Sequence, residues 1–197
     1  MSRKILRAPI ATEKGVMFSC GPCSSMSVTS PTGVLQLVAC SDGMHKLHIS
    51  QPSVSLSRNV ACELLNESDE QLNGPLESCL HWLKAYFTGD VQAIDACRPA
   101  LCSRIFHEES FRSKVWCTLE RQVKFGETVS YGQLAELCGN PRASQAVGSA
   151  MRNNPVALVV PCHRVILASG LTGNYSGGKL NNTKSWLLEH EKASVLQ

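Results

Sequence analysis

An α/β part followed by a helical part is the fold class this sequence predicts, and three observations carry it. Short runs of alternating apolar residues, broken by turn signals, fill positions 26–49. From Ser110 onward the apolar residues recur at helical spacing instead. Two later helices are short and separated only by Gly139-Asn140, a helix-turn-helix arrangement for which a plain helical hairpin is the alternative. A length of 197 residues suits one large domain or two small ones. The expected division is a flexible leader at 1–23, an N-terminal α/β domain at 24–103 and a C-terminal helix-turn-helix domain at 104–197.

Element by element, a first strand begins near Met26 and Ser30-Pro31-Thr32-Gly33 turns the chain. Val34, Leu35, Leu37 and Val38 make a second strand, Ser41-Asp42-Gly43 the next turn, and Leu47 and Ile49 lie beyond it. Residues 51–75 are polar and read as a loop or irregular insert. Leu76, Leu80, Leu83 and Phe87 predict an amphipathic helix, and 88–106 connects. Ser110 caps a helix whose inner face carries Phe111, Val115 and Leu119. Ser130 with Gln133 forms a capping box, and Gly139 ends that helix. Asn140-Pro141 is expected to open the next helix, running to about Arg152. This helix is built from small residues, Ala143, Ser144, Ala146, Gly148, Ser149 and Ala150. They permit close approach to a neighbouring helix or to a nucleic-acid groove. Trp186 to Glu191 reads as a final helix bearing carboxylates.

Composition narrows the function classes. Apolar residues at 43% and charged residues at 18% are ordinary for a globular protein and argue against disordered, collagenous or coiled-coil classes. The longest apolar run, Val156 to Val160, is far below the roughly 18 residues of a membrane helix and fits one buried strand. The first 23 residues lack the apolar stretch of a secretory signal; a mitochondrial-type presequence stays open, because Arg3, Lys4, Arg7 and Lys14 outnumber Glu13. Charge is uneven: 8 Lys+Arg against 9 Asp+Glu in residues 1–103, but 11 against 7 in 104–197, so the C-terminal part is basic at +4 and points weakly to a polyanion. Ten irregularly spaced cysteines read as reduced thiols, most of them serving as small hydrophobes.

One cysteine stands apart. Cys162 follows the apolar run in Pro161-Cys162-His163-Arg164, at the end of what should be a buried strand. Beside a His and an Arg its thiol pKa is expected to fall, giving a nucleophilic thiolate. Downstream, Gly173-Asn174-Tyr175-Ser176-Gly177-Gly178 lacks the strand-to-helix setting of a phosphate loop and could instead wall a flat pocket.

Taken together, Pro161-Cys162-His163-Arg164-Val165, the preceding Asn154-Pro155, the following Gly173 to Gly178 loop and the Lys124 to Tyr131 segment closely resemble the O6-alkylguanine-DNA alkyltransferases. The resemblance runs from about Met26 to Glu191 and is strongest from Val123. It implies an N-terminal ribonuclease-H-like α/β domain and a C-terminal winged-helix-type DNA-binding domain. It also implies DNA repair by stoichiometric transfer of an alkyl group from O6 of guanine, and less well from O4 of thymine, to Cys162. The damaged nucleotide must first be flipped from the duplex. His163 would deprotonate Cys162 through a water, Glu191 would orient His163, Tyr131 would donate to the departing ring, and Asn154 would brace the turn between recognition helix and active site. Arg112, Tyr131, Gly132, Asn140, Gln145 and Arg152 fall at DNA-contacting positions; Gln145 stands where the family carries an arginine that replaces the flipped base. Ala157, Val165, Tyr175 and Ser176 fall at pocket positions, Ala157 in place of a frequent proline.

The resemblance further implies a structural zinc on Cys40, His45, Cys102 and either Cys20 or Cys23, with Cys20 preferred. No organic cofactor is needed. The implied partner is double-stranded DNA containing O6-alkylguanine, met by a monomer, with cooperative loading left open, in the nucleus and away from membranes. Two other classes compete: a non-catalytic damage sensor, disfavoured by the presence of Cys162, and a thiol hydrolase or redox enzyme, which leaves the helix pair and glycine loop unexplained.

Overall fold

The computed structural model describes residues 20–57, 60–65, 74–107 and 109–196, so most of the leader expected at 1–23 lies outside the described residues. Three strands open the fold: β1 Ser24–Val28, β2 Gly33–Cys40 and β3 Gly43–Pro52, an antiparallel sheet in that order. The alternation read in the sequence is real. Leu35, Leu37 and Ala39 are fully buried while Gln36 between them is exposed. Gly43 (φ +147°) lets β3 start hard against the connector: a Cβ there would lie 2.7 Å from the Ala100 carbonyl oxygen. Met44 accordingly donates to Ala100 and accepts from Cys102, at 2.8 and 3.1 Å, which carries Cys102 to the end of the hairpin.

Helix α1 (Gly74–Thr88) covers the sheet with Leu76, Cys79, Leu80, Leu83 and Phe87, and also buries Trp82 and Tyr86. The connector at 88–106 contains a short helix, α2 (Val91–Ala96), started by Asp90 accepting from the Ala93 amide. Helix α3 (Phe111–Gln122) is capped by Ser110, whose hydroxyl accepts from the Ser113 amide. Helix α4 (Tyr131–Leu137) begins with the full capping box of Ser130 and Gln133 and ends at Gly139, in the left-handed region at φ +76°. Helix α5 spans Ser144–Arg152, so it starts later than the sequence suggests. Asn140-Pro141 instead forms a turn closed by the Ala143 amide donating to the Asn140 carbonyl. Trp116 ties α3 to α5 through its indole N–H on the Ala150 carbonyl at 2.8 Å.

The apolar run Val156–Val160 is not a strand. Only single bridges form, Leu47 with Val156 and Ala157 with Val160, and the chain reverses between them with Leu158 at φ +69°. A buried leucine in the left-handed region costs about 1–3 kcal/mol of backbone strain. Composition could not reveal this, because five apolar residues suit a buried turn as well as a strand. The edge of β3 grips the turn: Leu47 donates to the Pro155 carbonyl and accepts from the Ala157 amide, both at 2.9 Å. A short parallel pair, β4 (Val129–Ser130) with β5 (Val165–Ile166), then brackets the segment carrying Cys162. Helix α6 (Asn181–Val195) returns to α1, with the His190 imidazole on the Tyr86 carbonyl at 2.8 Å. No helix among the described residues is long and apolar enough to cross a membrane.

Candidate active site

Cys162 lies at the start of a 3-10 turn, Cys162–Arg164, just after the strained reversal. Its thiol is almost wholly buried. Asn154, immediately past the C-terminus of α5, reaches across the reversal. Its amide nitrogen donates to the Val160 carbonyl at 2.7 Å and to Cys162 Sγ at 3.0 Å, and its amide oxygen accepts from the Val156 N–H at 3.0 Å. One side chain thus ties the end of α5, the reversal and the sulfur together. The Tyr175 hydroxyl also bonds to the thiol, and Tyr175 is itself held by its backbone N–H on Asn181 Oδ1 at 2.8 Å.

The expected fall in the Cys162 pKa is corrected by the structure. Burial pushes the thiol up, only partly offset by the Asn154 and Tyr175 hydrogen bonds and by the Lys184 charge. His163 and Arg164 supply no such relief, because both turn toward Glu191. Lys184 is a group that the sequence reading missed. It is fully buried on α6 and donates to the Val165 carbonyl at 2.7 Å. It falls with Leu187 and Glu191 on one helical stripe, a spacing that could have flagged it.

Glu191 accepts from five donors. His163 Nε2 and the Tyr86 hydroxyl approach Oε1 at 2.7 and 2.6 Å, and Arg164 Nη2 does so at 3.0 Å. Arg164 Nε and the Gly126 amide approach Oε2 at 2.8 and 3.0 Å. Burial alone would raise this carboxyl; His163 and then Arg164 outweigh it and hold it well below the usual carboxylate range. Burial lowers His163 despite Glu191, so near neutrality the imidazole is uncharged and Arg164 is the standing counter-charge. A carboxylate oxygen only accepts, so His163 carries its hydrogen on Nε2. Nδ1 is then a bare lone pair, buried and without a hydrogen-bond partner among the described residues. That is the tautomer a general base requires.

Other positions singled out by the sequence surround this centre. Tyr131 opens α4 half-buried; burial and then the neighbouring Cys162 push its phenol up, while Arg152 pulls it down. Tyr131 and Arg152 both come close to Gly148 on α5. Gln145, Ala146 and Arg152 are exposed on α5, whereas Val147 and Ala150 face the core. Gly132 and Asn140 are exposed, and Arg112 on α3 is half-buried. Ser176, exposed and in the left-handed region at φ +48°, follows Tyr175. Val165 is fully buried in the β4–β5 pair, and Ala157 is half-buried in the reversal.

Away from the thiol, the ligand atoms of Cys20, Cys40, His45 and Cys102 all lie within 4.8 Å of one another. Cys102 Sγ is 3.9 Å from Cys20 Sγ and 3.8 Å from Cys40 Sγ. Thiolates on a tetrahedral zinc sit about 3.8 Å apart, given zinc–sulfur bonds of about 2.3 Å. Both ring nitrogens of buried His45 lack a hydrogen-bond partner among the described residues, and a metal ligand would have such a lone pair to offer. The donor set therefore fits a cation of this type. Cys23 stands outside it, exposed, with its thiol on the Gly21 carbonyl.

The Glu191 cluster generates one prediction. A carboxyl held low in the folded state contributes stability that is present above the ordinary carboxylate range and is lost as pH falls toward the depressed value. Glu191→Gln is expected to lower stability by about 3–5 kcal/mol near neutrality, because Arg164 is left buried without its partner. Urea unfolding of both proteins from neutral pH down to about pH 3 should show the gap narrowing with acid; a constant gap would mean that the loss is one of packing.

The chain is similar to known proteins. Residues 110–193 match the family model described as 6-O-methylguanine DNA methyltransferase, DNA binding domain. The methylated-DNA–protein-cysteine methyltransferase of Rattus norvegicus is 43% identical over 165 residues, covering 82% of this chain and 78% of the relative. The Homo sapiens protein of that name is 43% identical over 167 residues, covering 84% and 78%. Among solved structures, Mycobacterium tuberculosis OGT in complex with DNA superposes with a TM-score of 0.64 at 32% identity, covering 86% of this chain and 93% of the other. Identity this high over four fifths of the sequence, with a buried thiol, an ionised Glu191 and a base-ready His163 inside the matched region, makes this chain a member of the methylated-DNA–protein-cysteine methyltransferase family.

Proposed function

We propose that this chain repairs DNA by taking an alkyl group from O6 of guanine, and less readily from O4 of thymine, onto Cys162 in a single irreversible turnover. The observation that carries the reading is the buried thiol held at 3.0 Å by Asn154 beside a His163–Glu191 pair whose free nitrogen is unprotonated. His163 Nδ1 takes the thiol proton through an intervening water. A sulfur–carbon bond forms as the carbon–O6 bond breaks, and the electron pair leaves on the guanine ring. Tyr131, kept protonated by burial, donates to that ring, and the proton taken by His163 balances the one the base gains. Asn154, Tyr175 and Lys184 stabilise the thiolate that burial disfavours. The product thioether has no easy leaving group, so each molecule acts once.

The lesion is reached by flipping. The exposed, small-residue face of α5 enters the minor groove, whose degenerate edge suits a protein indifferent to sequence. Gln145 fills the gap in the stack, Arg152 and Tyr131 flank it, and Arg112, Gly132 and Asn140 contact the backbone. Val165, Tyr175, Ser176 and Ala157 line the base pocket. The division at 103/104 separates a ribonuclease-H-like α/β domain from a winged-helix-type domain; the three-stranded sheet under α1, and α3–α5 beside the β4–β5 pair, support that assignment. The protein works as a monomer on duplex DNA, in the nucleus of a nucleated cell. Cys20, Cys40, His45 and Cys102 hold a structural zinc that pins the β2–β3 hairpin to the connector.

Mass spectrometry of the protein mixed with duplex DNA bearing one O6-methylguanine tests the reaction. One methyl on the Cys162 peptide, in equimolar yield and with guanine restored, is expected, and Cys162→Ser should bind without reacting. Wild-type protein that bound the lesion and stayed unmodified would establish the sensor reading instead. Gln145→Arg adds a cation to the groove-facing helix, so duplex affinity should rise several-fold at low salt, with log K against log salt steeper by about one; an unchanged slope would place Gln145 away from the DNA. For the metal, protein purified with zinc should hold one equivalent, and a chelator should lower its thermal midpoint. Cys102→His should keep the ion and Cys102→Ser should lose it; equal zinc content in all three would exclude this site.

A further inference from the structure

Tyr86 is the one member of the Glu191 cluster contributed by α1, 105 residues away in sequence. Its hydroxyl donates to Glu191 Oε1 at 2.6 Å and lies 3.3 Å from His163 Nε2. Its ring is fully buried and clamped: Trp82 and Phe87 have centroids at 5.2 Å, Phe125 at 5.5 Å and His190 at 5.8 Å. The His190 imidazole fixes the backbone carbonyl of the same residue at 2.8 Å. A packing tyrosine needs none of this polar registration, and a buried hydroxyl placed between a base and its orienting carboxylate has a chemical consequence. Its single hydrogen points to Oε1, so its oxygen offers only lone pairs to the imidazole edge. His163 Nε2 therefore faces two acceptors and must keep its hydrogen.

We infer that Tyr86 is a positioning residue for alkyl transfer: by sharing Glu191 Oε1 with His163 it reinforces the Nε2–H tautomer that Glu191 sets and moderates the pull of the carboxylate on the imidazole. The inference rests on the alkyl-transfer reading for its kinetic part and on geometry alone for the effect on the imidazole. Burial, with Glu191 adding to it, keeps the phenol protonated well beyond neutrality, so the donor is present throughout the working range. The groups facing it are His163 and Arg164 from the 3-10 turn, Glu191 and His190 from α6, and Tyr175.

Removing the hydroxyl leaves Glu191 a stronger acceptor for His163, which raises the imidazole pKa. Tyr86→Phe is therefore expected to slow single-turnover methyl transfer roughly ten- to hundredfold, the range of one hydrogen bond to a charged group. Duplex affinity should not change, and the acid limb of the pH–rate profile should move to higher pH. Biosynthetic 3-fluorotyrosine at position 86 keeps the shape and strengthens the donor, so it should move that limb the other way. In the free protein, ring ¹⁵N shifts of His163 followed against pH should report a bare Nδ1 above the titration in both proteins, with Nδ1 taking its proton at higher pH in Tyr86→Phe than in the wild type. A wild-type rate, acid limb and imidazole spectrum in Tyr86→Phe would reduce Tyr86 to packing and overturn the proposal. If wild-type protein itself transferred no methyl group, the alkyl-transfer reading would fall, while the imidazole titration would still decide whether Tyr86 moderates the pull of Glu191 on His163.

Discussion

The buried carboxylate of Glu191 is the constraint on which the rest of the site depends. Five donors converge on it, from α1, the 3-10 turn and the loop before β4. A lone charge in such a place would be prohibitive, and the fork of Arg164 makes it tolerable by meeting both oxygens. Once the carboxylate is ionised and filled with donors, the state of His163 follows: its Nε2 must donate, and its other nitrogen is left bare. The Arg164 guanidinium also donates to the Val123 carbonyl at 2.9 Å and lies over the Phe125 ring, so the ion pair is anchored to the end of α3 as well.

The Cys162 thiol is governed differently. Burial opposes the thiolate, and the compensating groups are an amide, a phenol and a distant ammonium rather than an adjacent cation. On the proposed function, this suits a one-time alkyl acceptor. A thiol that is largely neutral at rest resists oxidation and stray electrophiles, and it is deprotonated only as a base with a free lone pair takes its proton. Asn154 matters more than its polarity suggests, because the same amide that touches sulfur also closes the strained reversal at Leu158.

Much of this was legible in the sequence. The strands around Leu35 and Leu37, the Ser110 cap, the Ser130–Gln133 box and the small-residue helix all follow from local rules, and the structure carries each of them. The five residues from Val156 to Val160 were read as a strand because apolarity says only that they are buried; the positive φ of Leu158 depends on Asn154 and on the edge of β3. The start of α5 slipped because Pro141 serves a turn as readily as a first helical turn. The thiol pKa is not legible in the sequence because neighbours along the chain need not touch: His163 and Arg164 point to Glu191, and burial decides the direction. Lys184 and Tyr86 were hidden within apolar stripes, where a polar side chain reads as a filler until its distant partner is known.

Chain order gives the Glu191 cluster a consequence for synthesis. Its members enter in the sequence Tyr86, Gly126, His163 with Arg164, and last Glu191. A ribosome-bound chain can complete the sheet, α1 and the helix pair while the imidazole has nothing to fix its tautomer and Arg164 has no counter-charge. The thiol therefore waits for α6 before the base beside it is set. On the proposed function, a protein that can react only once is thereby kept from reacting before it is finished, and a chain broken off short of Glu191 would carry Cys162 without the carboxylate that sets its base.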